Sequence, residues 1–201
     1  THGLRFDGLM GYEGHTLAIP DQEQKRQAIR DAIGRLLEAR RAVEGAGLTC
    51  KIVSAGGSGS YQITSELPGL TELQAGGAIV GCMYYLQQCR IEGHSPALRV
   101  LATVVSRPRP DLAILDSGRK TLSDHGAQPA LPNLPGARIL GLSAEHATVE
   151  VDPESPLPIG SKVEIIPGYS DLTFVLQDRV LATRNEVVEA VWPLLARGML
   201  Q

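Results

Sequence analysis

The chain has 201 residues and a formal net charge of −3, with 43% hydrophobic and 20% charged residues. This length and apolar content are enough for one large domain or two small ones with buried cores. Only 4% of the residues are aromatic and no basic stripe is present, which argues against a nucleic-acid-binding surface. Glycines and a cysteine interrupt the closest approach to a membrane span, residues 75–85, which is shorter than the ~18 residues required.

The first quarter of the chain predicts a strand, a helix and a second strand. Residues 4–10 are typical of a buried strand that ends in a polar turn. Asp21 is the expected N-cap of a long amphipathic helix, because apolar residues recur at helical spacing over residues 28–43. Gly45 or Gly47 should end this helix. The apolar run at residues 49–53 predicts the second strand.

A serine- and glycine-rich segment, residues 54–60, follows this second strand directly. Glycines allow positive φ angles and let an anion come close to the backbone. The N–H groups of such a loop, with the hydroxyls of Ser58 and Ser60, can hold a phosphate. The segment is neither a Gly-x-Gly-x-x-Gly fingerprint nor a Walker A loop, so an ordinary turn stays the alternative interpretation.

Beyond this loop the chain predicts a short strand at residues 72–75 and a helical turn within residues 80–88. The order strand, helix, strand, loop, strand is typical of β/α units in a parallel sheet or barrel, where polar loops after the strands carry the chemistry. Helical periodicity disappears near residues 93–96. We therefore expect an α/β domain at residues 1–94 and an all-β domain at residues 95–201.

Seven short apolar segments, separated by proline and glycine turns, predict the strands of the second domain. They cover residues 97–106, 112–115, 137–142, 147–151, 162–166, 179–183 and 187–192. Trp192, in the last of them, is expected in the core. The three cysteines lack Cys-x-x-Cys spacing, which favours reduced thiols in a cytoplasmic protein: Cys50, Cys82 and Cys89.

Six short motifs occur in a distinctive order along the chain. They are Gly-Tyr-Glu-Gly-His, Val-Ser-Ala-Gly-Gly-Ser, Glu-Leu-Gln-Ala-Gly, Asp-Ser-Gly-Arg-Lys, Leu-Ser-Ala-Glu-His and Pro-Gly-Tyr-Ser-Asp. In this order they resemble the D-threonine aldolase and D-serine dehydratase family of pyridoxal 5′-phosphate (PLP) enzymes, from about Leu4 to the C-terminus. The resemblance implies an alanine-racemase-like fold of type III, a PLP-binding (β/α)8 barrel followed by a β domain. It matches residues 1–94 to the last part of that barrel and implies a homodimer.

The resemblance also implies that the Schiff-base lysine precedes this sequence. In the family that lysine lies on the first barrel strand, and none of Lys25, Lys51, Lys120 and Lys162 occupies its place. The chain starts at Thr1 with strand-like sequence, and its few β/α units cannot close an eight-stranded barrel. We therefore expect a piece of a longer protein that does not perform PLP chemistry by itself.

The cofactor-binding residues that the resemblance implies lie in two of the motifs. Gly56, Gly57 and Ser58, with Ser54 before them, match the phosphate-binding turn of the family. Tyr12 matches a tyrosine near the cofactor, and His15 is expected to orient it or to contact substrate. A packed loop tyrosine and a structural histidine are the alternatives at these two positions.

The catalytic residues that the resemblance implies are Tyr169, Asp171 and His146. Metal-dependent members hold a zinc or manganese ion with His-x-Cys or His-x-Asp, which polarises the β-hydroxyl of the substrate. Here Tyr169 replaces the histidine, so Asp171 alone stays a candidate ligand, and acid–base chemistry by the pair is the alternative to a metal. His146 is expected to relay a proton. Asp124 and His125 are weaker candidates to border the site.

The function implied is a PLP-dependent lyase acting on small D-3-hydroxy amino acids. Either retro-aldol cleavage, as in D-threonine aldolase, or elimination of the β-hydroxyl, as in D-serine dehydratase, fits the motifs. An amino-acid racemase of the same fold is one alternative, and a non-catalytic PLP-binding or dimerisation module is another. Neither a nucleic acid nor a membrane is expected as a partner.

Overall fold

The computed structural model describes residues 3–199, and it divides the chain into two compact units. The α/β unit comprises the chain up to Ile79 together with Tyr85–Ser95. The β unit comprises Val80–Tyr84 together with the chain from Pro96 onwards. No helix among the described residues is both long and apolar enough to cross a membrane.

The α/β unit contains a parallel sheet with the strand order β1-β2-β3. Its strands are β1 (Gly8–Met10), β2 (Ile52–Ala55) and β3 (Glu72–Leu73). Parallel strands need crossover connections, and here helix α1 (Gln22–Gly45) joins β1 to β2 and helix α2 (Tyr61–Thr64) lies between β2 and β3. Two 3-10 helices (Gly14–Thr16 and Gly76–Ile79) and helix α3 (Met83–Gln87) complete this part of the chain.

Helix α1 begins and packs as its sequence predicts. The Asp21 carboxylate accepts a hydrogen bond from the Gln24 N–H at 2.8 Å, which satisfies one of the free donors at the helix start. Ile29 and Ile33, one turn apart, are buried and form a core cluster with Ala55 of β2 and Ile63 of α2. This cluster ties the helix to the strand that leads into the glycine-rich loop.

The β unit is built around a five-stranded antiparallel sheet with the order β6-β7-β5-β4-β8. Its strands are β4 (Val100–Arg109), β5 (Leu112–Leu115), β6 (Arg138–Leu142), β7 (Ala147–Glu150) and β8 (Lys162–Ile165). Helix α4 (Ser170–Phe174) follows β8, and a separate hairpin pairs β9 (Arg179–Arg184) with β10 (Val187–Pro193). Buried residues alternate along the strands, as Ala147 and Val149 do on β7, and together form one apolar core.

The predicted elements exist, and their bounds shift by up to four residues. The first strand is three residues long rather than seven, and the second begins three residues later than predicted, at Ile52. The prediction that Trp192 lies in the core is wrong: 58% of it is exposed, because the β9–β10 hairpin is a two-stranded sheet of its own. All three cysteines are free and buried, which confirms unpaired thiols.

Candidate functional site

The glycine-rich loop connects β2 to α2 in the α/β unit. Gly56 takes a φ of +81°, which a residue with a side chain adopts only with strain. At Gly57 a Cβ atom would lie 2.7 Å from Cε2 of Tyr12, so the Tyr12 ring packs against this part of the loop. Tyr12 is 60% exposed. The structure therefore places the predicted residues Tyr12, Gly56, Gly57 and Ser58 together.

A buried carboxylate that the sequence analysis did not single out lies behind this loop. Glu13 is 1% exposed. Its Oε1 accepts hydrogen bonds from Ser60 Oγ at 2.6 Å and Thr64 Oγ1 at 2.7 Å, and its Oε2 accepts one from the Gly56 N–H at 3.3 Å. No ion pair to Glu13 occurs within residues 3–199, so these three donors compensate its burial.

The donors of the loop divide into engaged and available groups. The Gly56 N–H is bound by Glu13, and the Gly57 N–H donates to Ser60 Oγ at 3.1 Å. The N–H groups of Ser58 and Gly59 have no acceptor in the part of the chain that the structure describes. Ser58 Oγ accepts from the Ala78 N–H at 2.8 Å, which leaves its own proton for another acceptor. The available donors are thus those of Ser58, which the sequence predicted, and Gly59, which it did not.

Ser54 and His15 flank the loop. The Ser54 hydroxyl donates to Glu72 Oε1 at 2.5 Å and accepts from Gln74 Nε2 at 2.7 Å, so it is held by residues in and after β3. His15 is exposed and lies in the 3-10 helix Gly14–Thr16, two residues after Glu13. Cofactor contact by either residue stays a prediction.

The second candidate group, here called the Tyr169–Asp171 corner, follows β8 in the β unit. The Tyr169 hydroxyl donates to Asp171 Oδ2 at 2.9 Å, and the Ser170 hydroxyl donates to Asp171 Oδ1 at 3.1 Å. Asp171 is exposed and Tyr169 is half-buried. The carboxylate that accepts this hydrogen bond fixes the direction in which the Tyr169 proton points.

Backbone packing explains why a glycine precedes this corner. A Cβ atom at Gly168 would overlap the carbonyl oxygens of Ala127 and Ser123, the latter at 2.8 Å. The Gly168 N–H in turn donates to Ser123 O at 2.8 Å. Thr173 Oγ1 donates to Tyr169 O at 2.7 Å and accepts from the Ser123 N–H at 3.1 Å, so α4 is anchored to the same segment.

Two rings surround Tyr169 in the β unit. The Tyr84 ring meets it edge to face, with centroids 5.4 Å apart. The His125 ring is tilted against it, with centroids 5.9 Å apart, so His125 borders the corner. Asp124 forms an ion pair with Arg119, with Oδ2 and Nη2 3.1 Å apart. His125 and Tyr84 are 44 and 85 residues away from Tyr169 in sequence. No local sequence pattern could therefore predict that their rings meet the Tyr169 ring.

His146 lies elsewhere in the β unit, in the exposed turn between β6 and β7. Its backbone closes that turn: the Ser143 N–H donates to His146 O at 2.8 Å, and the His146 N–H donates to Ser143 Oγ at 3.1 Å. A catalytic role for His146 stays a prediction.

Comparison with known proteins assigns the chain to a family. The family model described as "Putative serine dehydratase domain" matches residues 97–183. D-threonine aldolase of Arthrobacter sp. is 32% identical over 203 residues, covering 98% of this chain and 52% of that protein. 3-hydroxy-D-aspartate aldolase of Paracoccus denitrificans (strain Pd 1222) is 33% identical over 202 residues, covering 97% and 52%. The crystal structure of D-threonine aldolase from Filomicrobium marinum superposes with a TM-score of 0.92 at 29% identity, covering 99% of this chain and 55% of that one.

The chain belongs to the D-threonine aldolase and D-serine dehydratase family. It spans about half the length of the curated relatives it matches. The agreement with D-threonine aldolase over 99% of the chain confirms the predicted fold class, the last part of an alanine-racemase-like barrel followed by a β domain.

Three of the four lysines of this family member have side-chain contacts elsewhere. Lys25 Nζ donates to the Cys89 carbonyl oxygen at 2.5 Å, and Lys162 Nζ donates to Thr103 Oγ1 at 2.7 Å. The Lys120 ammonium pairs with Glu145 at 2.5 Å, and this hydrogen bond raises the pKa of Lys120. No hydrogen bond joins a lysine to residues 56–60 in the described part of the chain, and the position of the Schiff-base lysine stays a prediction.

Proposed function

We propose that this chain is the C-terminal part of a PLP-dependent lyase that acts on D-3-hydroxy amino acids. The similarity to D-threonine aldolase along almost the whole chain is the observation that carries the proposal. The matched relatives are about twice as long as this chain. The substrate, the cofactor and the assembly are therefore proposed for the full-length protein.

The glycine-rich loop fits the phosphate of the cofactor. A phosphate needs several hydrogen-bond donors and a backbone that it can approach closely, and Ser58 N–H, Gly59 N–H and Ser58 Oγ meet both requirements. We assign the phosphate to these donors, with Tyr12 beside them. When bound, PLP supplies an electron sink for the charge that develops at the substrate Cα.

The Tyr169–Asp171 corner fits the acid–base part of the reaction. The Asp171 carboxylate holds the Tyr169 proton on Oη, so a substrate hydroxyl can donate to the lone pairs of that oxygen. Transfer of the β-hydroxyl proton to this pair would start retro-aldol cleavage, in which the bond between Cα and Cβ breaks and a carbonyl forms at Cβ. We propose Tyr169 and Asp171 as the residues that bind and deprotonate the β-hydroxyl.

Elimination is the second candidate, because the matching family model is described as a serine dehydratase domain. In that reaction a base removes the proton at Cα, and the β-hydroxyl leaves after it has gained a proton. Tyr169 would then donate its proton to the leaving oxygen instead of accepting one. The same pair serves both directions, since a hydrogen-bonded phenol is both a donor and an acceptor.

A zinc or manganese ion at Asp171 stays a prediction that the donor set does not favour. Both oxygens of Asp171 already accept hydrogen bonds, and a neutral phenol is a poor ligand for either metal. Residues 3–199 contain no group of three or more histidine, cysteine, aspartate or glutamate side chains that could hold a metal. We therefore assign no step of the reaction to a metal. The zinc and manganese content of the full-length protein, measured per chain, tests this directly.

Two further properties complete the proposal. We propose a homodimer, which light scattering of the full-length protein tests. We also propose a cytoplasmic location, which the three free cysteines support because reducing compartments keep thiols unpaired.

The experiment that tests the function uses the full-length protein with PLP and follows products. With D-threonine, cleavage gives glycine and acetaldehyde, whereas elimination gives 2-oxobutyrate and ammonia. Appearance of the L-enantiomer alone would instead indicate a racemase. Absence of all these products with D-threonine, D-serine and 3-hydroxy-D-aspartate, from protein that has bound PLP, would refute the lyase proposal.

A further inference from the structure

The buried carboxylate of Glu13 poses a physical problem at a loop that is assigned to an anion. Glu13 is almost fully buried, and it accepts hydrogen bonds from the first residue of the loop, from Ser60 at its end and from Thr64 of α2. By charge alone, a carboxylate beside a phosphate site weakens phosphate binding. Glu13 must therefore contribute something other than its charge if it supports this site.

The hydrogen bonds run in one direction through the loop. A hydroxyl has one proton, and Ser60 Oγ lies closer to Glu13 Oε1, at 2.6 Å, than to Gly57 O, at 3.4 Å. Its proton therefore goes to Glu13, and its lone pairs accept the Gly57 N–H at 3.1 Å. Glu13 thus binds the Gly56 N–H directly and the Gly57 N–H through Ser60.

This arrangement determines which donors remain. With the N–H groups of Gly56 and Gly57 engaged, those of Ser58 and Gly59 are the loop amides without an acceptor in the described part of the chain. Glu13 comes from the loop after β1, 43 residues before Gly56, so the same contacts fix two strand-end loops to each other. A loop held in this way loses less conformational freedom when it binds a ligand.

We propose that Glu13 is the positioning residue of the glycine-rich loop: its carboxylate engages the Gly56 amide and the Ser60 and Thr64 hydroxyls, and so leaves Ser58 and Gly59 to bind the phosphate. The proposal rests on the proposed PLP site and names how that site is built. Of the residues that the sequence predicted for the phosphate, it keeps Ser58, replaces Gly56 and Gly57 as amide donors and adds Gly59.

The variant Glu13→Gln tests this because it keeps the shape of the side chain. Glutamine has one acceptor oxygen, so its NH2 group would face either the Gly56 N–H or the two hydroxyls. Glu38→Gln is the matched control, since it removes the same charge from an exposed position on α1. Thr64→Val removes one donor without changing the carboxylate and serves where Glu13→Gln does not fold.

The readout is the affinity of the full-length protein for PLP and for pyridoxal, which lacks the phosphate. We expect Glu13→Gln to weaken PLP binding about tenfold, the value of one hydrogen bond to a charged group, and to leave pyridoxal binding almost unchanged. Thr64→Val should give a smaller loss in the same direction, and Glu38→Gln none. Hydrogen exchange of the Gly56 and Gly57 amides should become faster in Glu13→Gln.

Several results would overturn the inference. Tighter PLP binding by Glu13→Gln would mean that the carboxylate acts through its charge alone, and an equal loss for PLP and pyridoxal would mean a general structural role. Unchanged exchange at Gly56 and Gly57 would contradict the positioning role even without a ligand. Failure of the parent protein to prefer PLP over pyridoxal would refute the phosphate assignment itself, a result that the parent alone reveals.

Discussion

The two candidate groups are built on the same local plan with opposite chemistry. Each begins where a strand ends, passes through glycine and enters a helix of four or five residues, from β2 to α2 and from β8 to α4. In the glycine-rich loop the available groups are two backbone amides and the Ser58 hydroxyl, and the buried Glu13 carboxylate engages the Gly56 amide directly and the Gly57 amide through Ser60. In the Tyr169–Asp171 corner the candidate reactive groups are two side chains, a phenol and a carboxylate, joined by a hydrogen bond.

This difference separates binding from proton transfer. Backbone donors have a fixed charge distribution at any working pH, which suits a phosphate that must stay bound throughout a reaction. A phenol paired with an exposed carboxylate can exchange a proton, which suits a group that must change during a reaction. Changes in the corner should therefore affect turnover, and changes in the loop should affect cofactor retention.

The largest effect is expected at Asp171. Asp171→Asn keeps the shape but removes the carboxylate that holds the Tyr169 proton, so turnover of the full-length enzyme should fall about 100-fold or more. Binding of PLP should not change. The measurement compares kcat and PLP affinity of Asp171→Asn with those of Asp152→Asn. Asp152→Asn is the control, because it makes the same change in an exposed turn. Near-normal turnover would remove Asp171 from the mechanism.

A smaller effect separates the two glycines. Gly168→Ala should lower the free energy of unfolding by about 1–3 kcal/mol, because its Cβ meets backbone carbonyls that cannot move alone. Gly57→Ala meets the ring of the exposed Tyr12, which can rotate, so it should cost less stability and mainly reduce PLP retention.

Urea unfolding and PLP content of the two glycine variants test this difference. Gly141→Ala is the neutral control, because a Cβ atom there has open space. Equal losses of stability from Gly57→Ala and Gly168→Ala would show that the two turns are constrained in the same way.

The strands and the long helix could be predicted because their signals are local. The strand Leu112–Leu115 has the predicted bounds, and Asp21 caps α1 as expected. Helices α2 and α4 were missed, since four or five residues complete little more than one turn and show no periodicity. Trp192 lies in a segment whose apolar composition is typical of a core strand. It is exposed because that strand, β10, pairs with β9 in a separate two-stranded sheet.

The candidate site could be predicted where function depends on local composition. Residues 54–60 predicted an anion-binding loop from glycine and serine directly after a strand, with an ordinary turn as the alternative. Glu13 could not be identified, because its partners lie 43, 47 and 51 residues further along the chain. The engaged state of the Gly56 and Gly57 amides was hidden for the same reason.

The last contrast concerns buried charge, because the α/β unit buries the amine of a lysine as well as the Glu13 carboxylate. Lys25 is 1% exposed on α1. Burial lowers the pKa of Lys25 from its ordinary 10.5, the neighbouring Cys89 opposes that shift and Arg90 adds to it. Between the lowered pKa of the folded protein and 10.5, the unfolded chain binds more protons, so stability should rise with pH through that window.

The free energy of unfolding of the parent, Lys25→Met and Lys51→Met tests this last effect, the smallest of those predicted. Measured from about pH 7 to about pH 10, the difference between parent and Lys25→Met should grow in favour of the parent as pH rises, because folding no longer requires burial of a charge. Lys51 is exposed, so the corresponding difference for Lys51→Met should stay flat. A flat difference for both variants would mean that burial does not lower the pKa of Lys25 in the folded protein.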